Sequence, residues 1–206
     1  MVNERVRRLE ELVREFLLLI DEDPNREGLK ETPARVAKMW LEELSAGYRE
    51  DPTMHLKTFT TSDAGVENGV VVVRDIPVRS ICEHHLLPFF GYAHIAYVPN
   101  GAILGFSKFA RIVDAFARRL QVQERLTRQV ADFLYEKLKP KGLIVLVDAI
   151  HTCALVRGVE EPMYLTTMEV RGIFKEDKSL RGEALALLLQ GNIMRPKAHS
   201  GSSILR

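Results

Sequence analysis

Residues 70–98 read VVVVRDIPVRSICEHHLLPFFGYAHIAYV, and this stretch decides the fold. Val70-Val71-Val72-Val73 is β-branched and strand-like. Residues 78–81 carry the sheet on toward Cys82-Glu83-His84-His85. Pro88 interrupts, residues 91–98 read as the next strand, and Pro99-Asn100-Gly101 is a strong turn signal. Two extended runs so close in sequence are hairpin-like neighbours.

Downstream, Ser107 reads as the N-cap of a helix reaching about residue 119. Residues 121–138 form a second helix, with Leu126, Val130, Phe133, Leu134 and Leu138 on its apolar side and Pro140-Lys141-Gly142 as its stop. Residues 143–149 are an apolar strand, residues 164–170 a last strand, and Gly172 a break. Residues 179–190 read as a C-terminal helix, followed by a loose tail over 191–206.

Upstream, Val6, Leu9, Val13, Phe16, Leu17 and Ile20 recur at three- and four-residue steps, which predicts a helix over residues 2–20. Asp21-Glu22-Asp23-Pro24-Asn25 breaks it. Thr32 as N-cap and Pro33 as first helical residue open another helix, which runs to about residue 44 and is ended by Gly47. Residues 51–68 read as a connection with one short strand near 56–59. The order of elements predicts an α+β fold, an antiparallel sheet with helices on one face. One domain over residues 51–190 with an N-terminal helical arm over 1–50 fits this order better than two domains.

The 206 residues are 46% hydrophobic and 28% charged, an ordinary globular balance with length for one sizeable core. The formal charge of +1 supplies no overall field toward nucleic acid or a membrane, so neither is an expected partner. Met1-Val2-Asn3-Glu4-Arg5 does not lead into an apolar stretch, and the apolar runs fall short of a membrane span. A cytoplasmic protein is the expectation.

The chain has two cysteines, too few for a disulfide framework, although an oxidised, metal-free protein could join them. Alone, each reads as a buried apolar thiol. Their company changes that reading. Cys82 and His85, with Cys153 in His151-Thr152-Cys153, make a two-sulfur, one-nitrogen ligand set suited to zinc, Zn2+. Three protein ligands leave a tetrahedral position open, which is the catalytic pattern. His84 and His151 are then spare imidazoles for proton transfer. If residues 151–153 stay extended, the period of two sends His151 and Cys153 to one face.

Lys108 and Arg111 lie three apart at a helix start, where cations are locally unfavourable and an external anion would complete the site. Arg157 is a further anion contact, and Arg35 and Lys38 share a helix face. As bare sequence each of these pairs also fits a solvated surface. Gln123 and Glu124 offer an amide and a carboxylate to a purine edge, but Glu124 by itself reads as a solvated helix position. The residues alone point to zinc-assisted hydrolysis of a phosphorylated small molecule.

The chain also resembles GTP cyclohydrolase I. The resemblance rests on Asp23-Pro24-Asn25-Arg26-Glu27-Gly28-Leu29, Thr32-Pro33-Ala34-Arg35-Val36-Ala37-Lys38-Met39 and Cys82-Glu83-His84-His85. It continues through Gly105-Phe106-Ser107-Lys108, Gln121-Val122-Gln123-Glu124-Arg125-Leu126-Thr127 and His151-Thr152-Cys153. The segment Met168-Glu169-Val170-Arg171 before Gly172-Ile173-Phe174 departs from the family's Thr/Ser-rich strand.

The resemblance implies conversion of GTP and water to 7,8-dihydroneopterin triphosphate and formate, the entry to folate biosynthesis. It implies zinc on Cys82, His85 and Cys153, attack of activated water at C8 of guanine, and His151 as proton donor to the purine. His84 would assist near the ribose and Ser107 in ribose opening. Glu124 would anchor guanine with Gln123 beside it. Lys108, Arg111 and Arg157 would hold the triphosphate, with Arg35 and Lys38 reaching it from a neighbouring subunit. The implied architecture is the tunnelling fold, assembled as a homodecamer whose sheets join into barrels and whose active sites lie between subunits.

Two other readings differ in what they require. A pterin synthase or nitrile reductase on the same fold is one; the reductase would use a cysteine nucleophile and survive metal removal. A non-catalytic, zinc-stabilised assembly protein is the other, and it would close the metal site with a fourth protein ligand.

Overall fold

The computed structural model describes residues 2–66 and 69–190. The expected tail over 191–206, and residues 67 and 68 of the expected connection, lie outside the described residues. Helix α1 (Val2–Leu19) packs against α2 (Thr32–Lys38), burying Leu17 and Ala37. The N-cap of α2 is Glu31, not Thr32: the turn closed by Thr32 N–H on the Leu29 carbonyl already brings Thr32 into the helix. The expected helix over 32–44 is α-helical only to Lys38 and continues as a π-helical turn over Met39–Leu44. Gly47 follows, and its N–H donates to the Arg118 carbonyl at 3.0 Å. A Cβ there would stand 2.2 Å from the Ala115 carbonyl oxygen, so this close approach requires glycine.

Strands β1 (Thr58–Thr60) and β4 (Ala102–Leu104) form a small antiparallel pair. The main sheet holds β2 (Val71–Cys82), β3 (Pro88–Val98), β5 (Leu120–Gln121), β6 (Gly142–His151) and β7 (Tyr164–Gly172), in the order β5-β2-β3-β6-β7. All its pairings are antiparallel except β2 with β5. Pro88 therefore begins a strand instead of interrupting one, a position where a missing N–H is tolerated. The β2–β3 pairing shifts between Val73 and Ile76, where Asp75 has φ 57°.

Helices α3 (Phe106–Ala117) and α4 (Gln123–Leu138) lie together on one face of this sheet. Leu126, Val130, Leu134 and Leu138 recur every four residues and are all buried. Each such side chain contributes about 1.5–3 kcal/mol when fully buried. Opposite them the strands alternate: Ala93, Ile95 and Tyr97 of β3 and Leu143, Val145 and Val147 of β6 enter this core.

Ala96, Val98 and Ile144 point to the other face, where they meet Phe174 of α6 (Ile173–Glu176) and Ala184 and Leu188 of α7 (Lys178–Leu189). The expectation of helices on one face holds for α3 and α4, while α7 covers the second face at one end. Its approach begins at Gly172, φ 60°, where a Cβ would stand 2.2 Å from the Lys141 carbonyl oxygen. Among the described residues, no helix is long and apolar enough to cross a membrane.

Candidate metal centre and active site

The turn from β2 into β3 carries two of the three metal candidates, Cys82 and His85. Cys82 N–H donates to the Leu87 carbonyl, and Leu86 N–H donates to the Cys82 carbonyl, both at 2.9 Å. This tight return places Leu86 at φ 56°, a left-handed conformation unfavourable for a branched side chain. Glu83 N–H donates to the Gln121 carbonyl at 3.0 Å, so the parallel strand β5 holds the loop from its other side.

The loop brings Cys82 Sγ to 3.9 Å from His85 Nδ1. Cys153 arrives from α5 (Thr152–Leu155), and the ligand atoms of Cys82, His85 and Cys153 all lie within 4.8 Å of one another. The conditional expectation of an extended 151–153 segment does not hold. The strand ends at His151 and Cys153 sits on a helical turn. Thr152 Oγ1 anchors that turn by donating to the Pro88 carbonyl at 2.6 Å. Two soft sulfurs and one imidazole, converging from two segments without a carboxylate, fit zinc. Burial pushes the Cys153 thiol above its ordinary value and nearby Cys82 adds to this, while Arg157 opposes it. Metal binding would displace those protons.

His151 pairs with Phe89 across β6 and β3, and their rings stack at 4.5 Å with planes 7° apart. His151 Nε2 lies 2.9 Å from Gln123 Oε1. Burial lowers the pKa of His151, and the Glu124 carboxylate partly counters this. The imidazole is therefore favoured in its neutral form, able to take a proton before giving one. Gln123 departs from the expected contact beside a purine: it is 0% exposed. Its amide is engaged with β6, β7 and His151.

The other expected residues are placed as follows. His84 is exposed beside Glu83, at 3.9 Å. Glu124 is exposed on the first turn of α4. Ser107 is not the N-cap of α3: Gly105, leaving β4 with its N–H on the Lys57 carbonyl, occupies that position and starts the helix earlier. Ser107 is exposed in the first turn, with Lys108 and Arg111 following on the same helix. Arg157 is exposed just after α5. Arg35 and Lys38 are exposed on α2, and Arg35 pairs with Glu31 one turn before it. Among the described residues, no hydrogen bond or ion pair joins Ser107, Lys108, Arg111, Arg35 or Lys38 to the cysteine–histidine group.

Sequence reasoning missed several supporting residues. Arg125 holds Glu83 in a two-pronged ion pair at 2.5 and 2.9 Å, joining the metal loop to α4. Thr127 and Thr167 lie in one hydrogen-bonded chain with Gln123. Glu83 and Arg125 both stood inside the matched motifs, which was the available signal. Phe89 and Thr167 gave none, because their roles come from cross-strand register.

Residues 9–189 match the family model described as GTP cyclohydrolase I. A protein named GTP cyclohydrolase 1 from Carboxydothermus hydrogenoformans is 50% identical over 183 residues, 88% of this chain and 93% of the relative. The Thermobifida fusca protein of that name is 51% identical over 185 residues, 88% of this chain and 87% of its own length. That of Clostridioides difficile is 50% identical over 183 residues, 88% and 95% of the two chains. The solved archaeosine synthase QueF-Like in the apo form aligns at a TM-score of 0.43 and 17% identity, over 52% of this chain and 97% of its own. That likeness is too low to bear on fold or function.

Proposed function

The chain belongs to the GTP cyclohydrolase I family, and on that premise we propose that it converts GTP and water to 7,8-dihydroneopterin triphosphate and formate, at the head of folate biosynthesis. The observation that carries the reading is the convergence of Cys82, His85 and Cys153 beside a partly buried His151. Cys82, His85 and Cys153 would hold zinc. When bound, zinc supplies Lewis-acid chemistry and makes water a nucleophile near neutral pH.

The chain's own residues supply the rest. His151 is favoured neutral, so a ring nitrogen takes a proton as water attacks C8 of guanine and then returns one to the opening purine. Glu124, an exposed carboxylate one residue beyond Gln123, matches adjacent guanine N–H donors. Lys108, Arg111 and Arg157 bind the triphosphate, and the exposed Ser107 serves the ribose together with His84.

Arg35 and Lys38 complete the phosphate site from a neighbouring subunit. Support for assembly comes from the sheet edges. Among the described residues, the two residues of β5 pair only with Ile81 and Cys82, and most of that side of β2 has no strand neighbour. On the opposite edge, β7 exposes Tyr164, Leu165 and Met168. Joining such edges would build the barrel of a homodecamer.

The test is incubation of zinc-loaded protein with GTP, following formate and the fluorescence of oxidised pterin. Both products are expected, lost on chelation and regained with zinc. No turnover by folded, zinc-loaded protein would overturn the reading.

A further inference from the structure

We propose that Gln123 is a positioning residue that holds neutral His151 with its proton on Nε2, leaving Nδ1 to exchange a proton with substrate. The inference deepens the reading above and rests on it for the identity of the substrate.

Hydrogen-bond direction carries the argument. Gln123 is 0% exposed, so its amide satisfies itself inside the protein. Its Nε2 lies 3.0 Å from the Val147 carbonyl and 2.7 Å from the Leu165 carbonyl. Carbonyl oxygens only accept, so the NH2 end must face them. Turning the amide over would set Oε1 against both carbonyls with no proton between.

Nε2 also lies 3.2 Å from Thr167 Oγ1, and the threonines agree with this orientation. Thr127 Oγ1 donates to the Gln123 backbone carbonyl at 2.8 Å, which uses its single proton. The 2.6 Å contact between the two hydroxyls then has Thr167 donating to Thr127. Thr167 Oγ1 is left as an acceptor, facing the amide NH2 as it should.

Oε1 is therefore the end that faces His151, at 2.9 Å from Nε2. An amide oxygen has no proton to give, so Nε2 carries it. Swinging the imidazole over would put carbon against Oε1 and strand a buried acceptor. Stacking on Phe89 fixes the ring plane. Nδ1 has no hydrogen-bond partner among the described residues. It is the nitrogen with a lone pair free to take a proton, and the Gln123 carbonyl then steadies the imidazolium through Nε2–H.

This role differs from purine recognition, and the two predict different measurements. Zinc-loaded protein labelled with 15N-histidine, read by magic-angle-spinning 15N spectroscopy at about pH 8, where neutral imidazole predominates, reports the tautomer directly. The His151 signals are identified by their loss in His151→Asn. We expect a protonated Nε2 and an unprotonated Nδ1 in the wild type, and a tautomer mixture in Gln123→Leu. A wild-type His151 protonated on Nδ1 would overturn the proposal, with no need for Gln123→Leu to fold.

In kinetics, Gln123→Leu should lower kcat by about 10- to 100-fold, as loss of a partner behind a working imidazole does. KM for GTP should not change. A raised KM with unchanged kcat would overturn the proposal in favour of purine contact. Failure of the wild type to release formate would refute the activity and not the tautomer, which the spectrum reads independently.

Discussion

Arg125 grips Glu83 with both terminal guanidinium nitrogens, at 2.5 and 2.9 Å, across 42 residues of sequence. One residue from this pair on either side stand Cys82, His84 and Glu124, and His85 is one further. The Arg125 hydrogen bond holds the Glu83 carboxyl below its ordinary range. Although partly exposed, the pair has the bidentate geometry that gives ion pairs specificity. Arg125→Ala is expected to lower zinc affinity or kcat/KM by about 10- to 100-fold, the usual effect of removing an outer support of a metal site. Zinc titration and formate kinetics on Arg125→Ala and Arg125→Lys check this, with Lys recovering little because it lacks the fork.

Removing a ligand should be more severe. Cys153→Ser is expected to abolish both zinc retention and formate release. Zinc held by these three residues would bind only the folded state, so stripping the wild type should also lower its Tm. Metal analysis and thermal melts with and without chelator provide the comparison. An unchanged zinc content in Cys153→Ser would remove Cys153 from the ligand set.

The two cations on the first turns of α3 should give a separable effect. If Lys108 and Arg111 hold the triphosphate as proposed, Lys108→Ala or Arg111→Ala should each remove a charge-assisted hydrogen bond worth about 1.5–3 kcal/mol and raise KM for GTP by about 10- to 100-fold. Affinity for guanosine, which has no phosphates, should not move. A parallel loss for both ligands would mean that the helix start serves folding instead.

Arg35 tests where the active site lies. Arg35→Ala and His151→Ala should each be poorly active alone. Mixed oligomers of the two should recover formate release, because a site that draws Arg35 from one subunit and His151 from the next is then intact. No recovery in verified mixed oligomers would place both residues in one subunit's site.

Tyr97 supplies a pH prediction away from the active site. It is 1% exposed, and burial pushes its pKa up. The folded state therefore keeps its phenolic proton at a pH where the unfolded chain releases it. Its contribution is present below the unfolded value of about 10 and is lost as pH rises toward the folded one, at up to about 1.4 kcal/mol per pH unit. Urea melts between about pH 9 and 11 should show a shallower loss for Tyr97→Phe than for the wild type.

What the sequence determined by itself was the set of chemical groups and the periodic elements that carry them. Leu126, Val130, Leu134 and Leu138 announce one face of α4 because helical spacing is local. Cys82, His85 and Cys153 announce a candidate metal site because sulfur and imidazole chemistry does not depend on fold. Caps were less legible: the starts of α2 and α3 depend on preceding turns, so Glu31 and Gly105 took the positions that Thr32 and Ser107 suggested.

Tertiary structure alone decided which groups face one another. A residue on the first turn of α4 looks outward or inward according to how β5 delivers it, so Glu124 is exposed and Gln123 is buried against His151. Phe89 meets His151 only through the β3–β6 register, and Thr167 reaches Thr127 only because β7 lies under α4. Sequence spacing sets which side of its own element a residue occupies. The partner across the gap is set by register and packing over long separations, and that partner decided Gln123's place beside the imidazole.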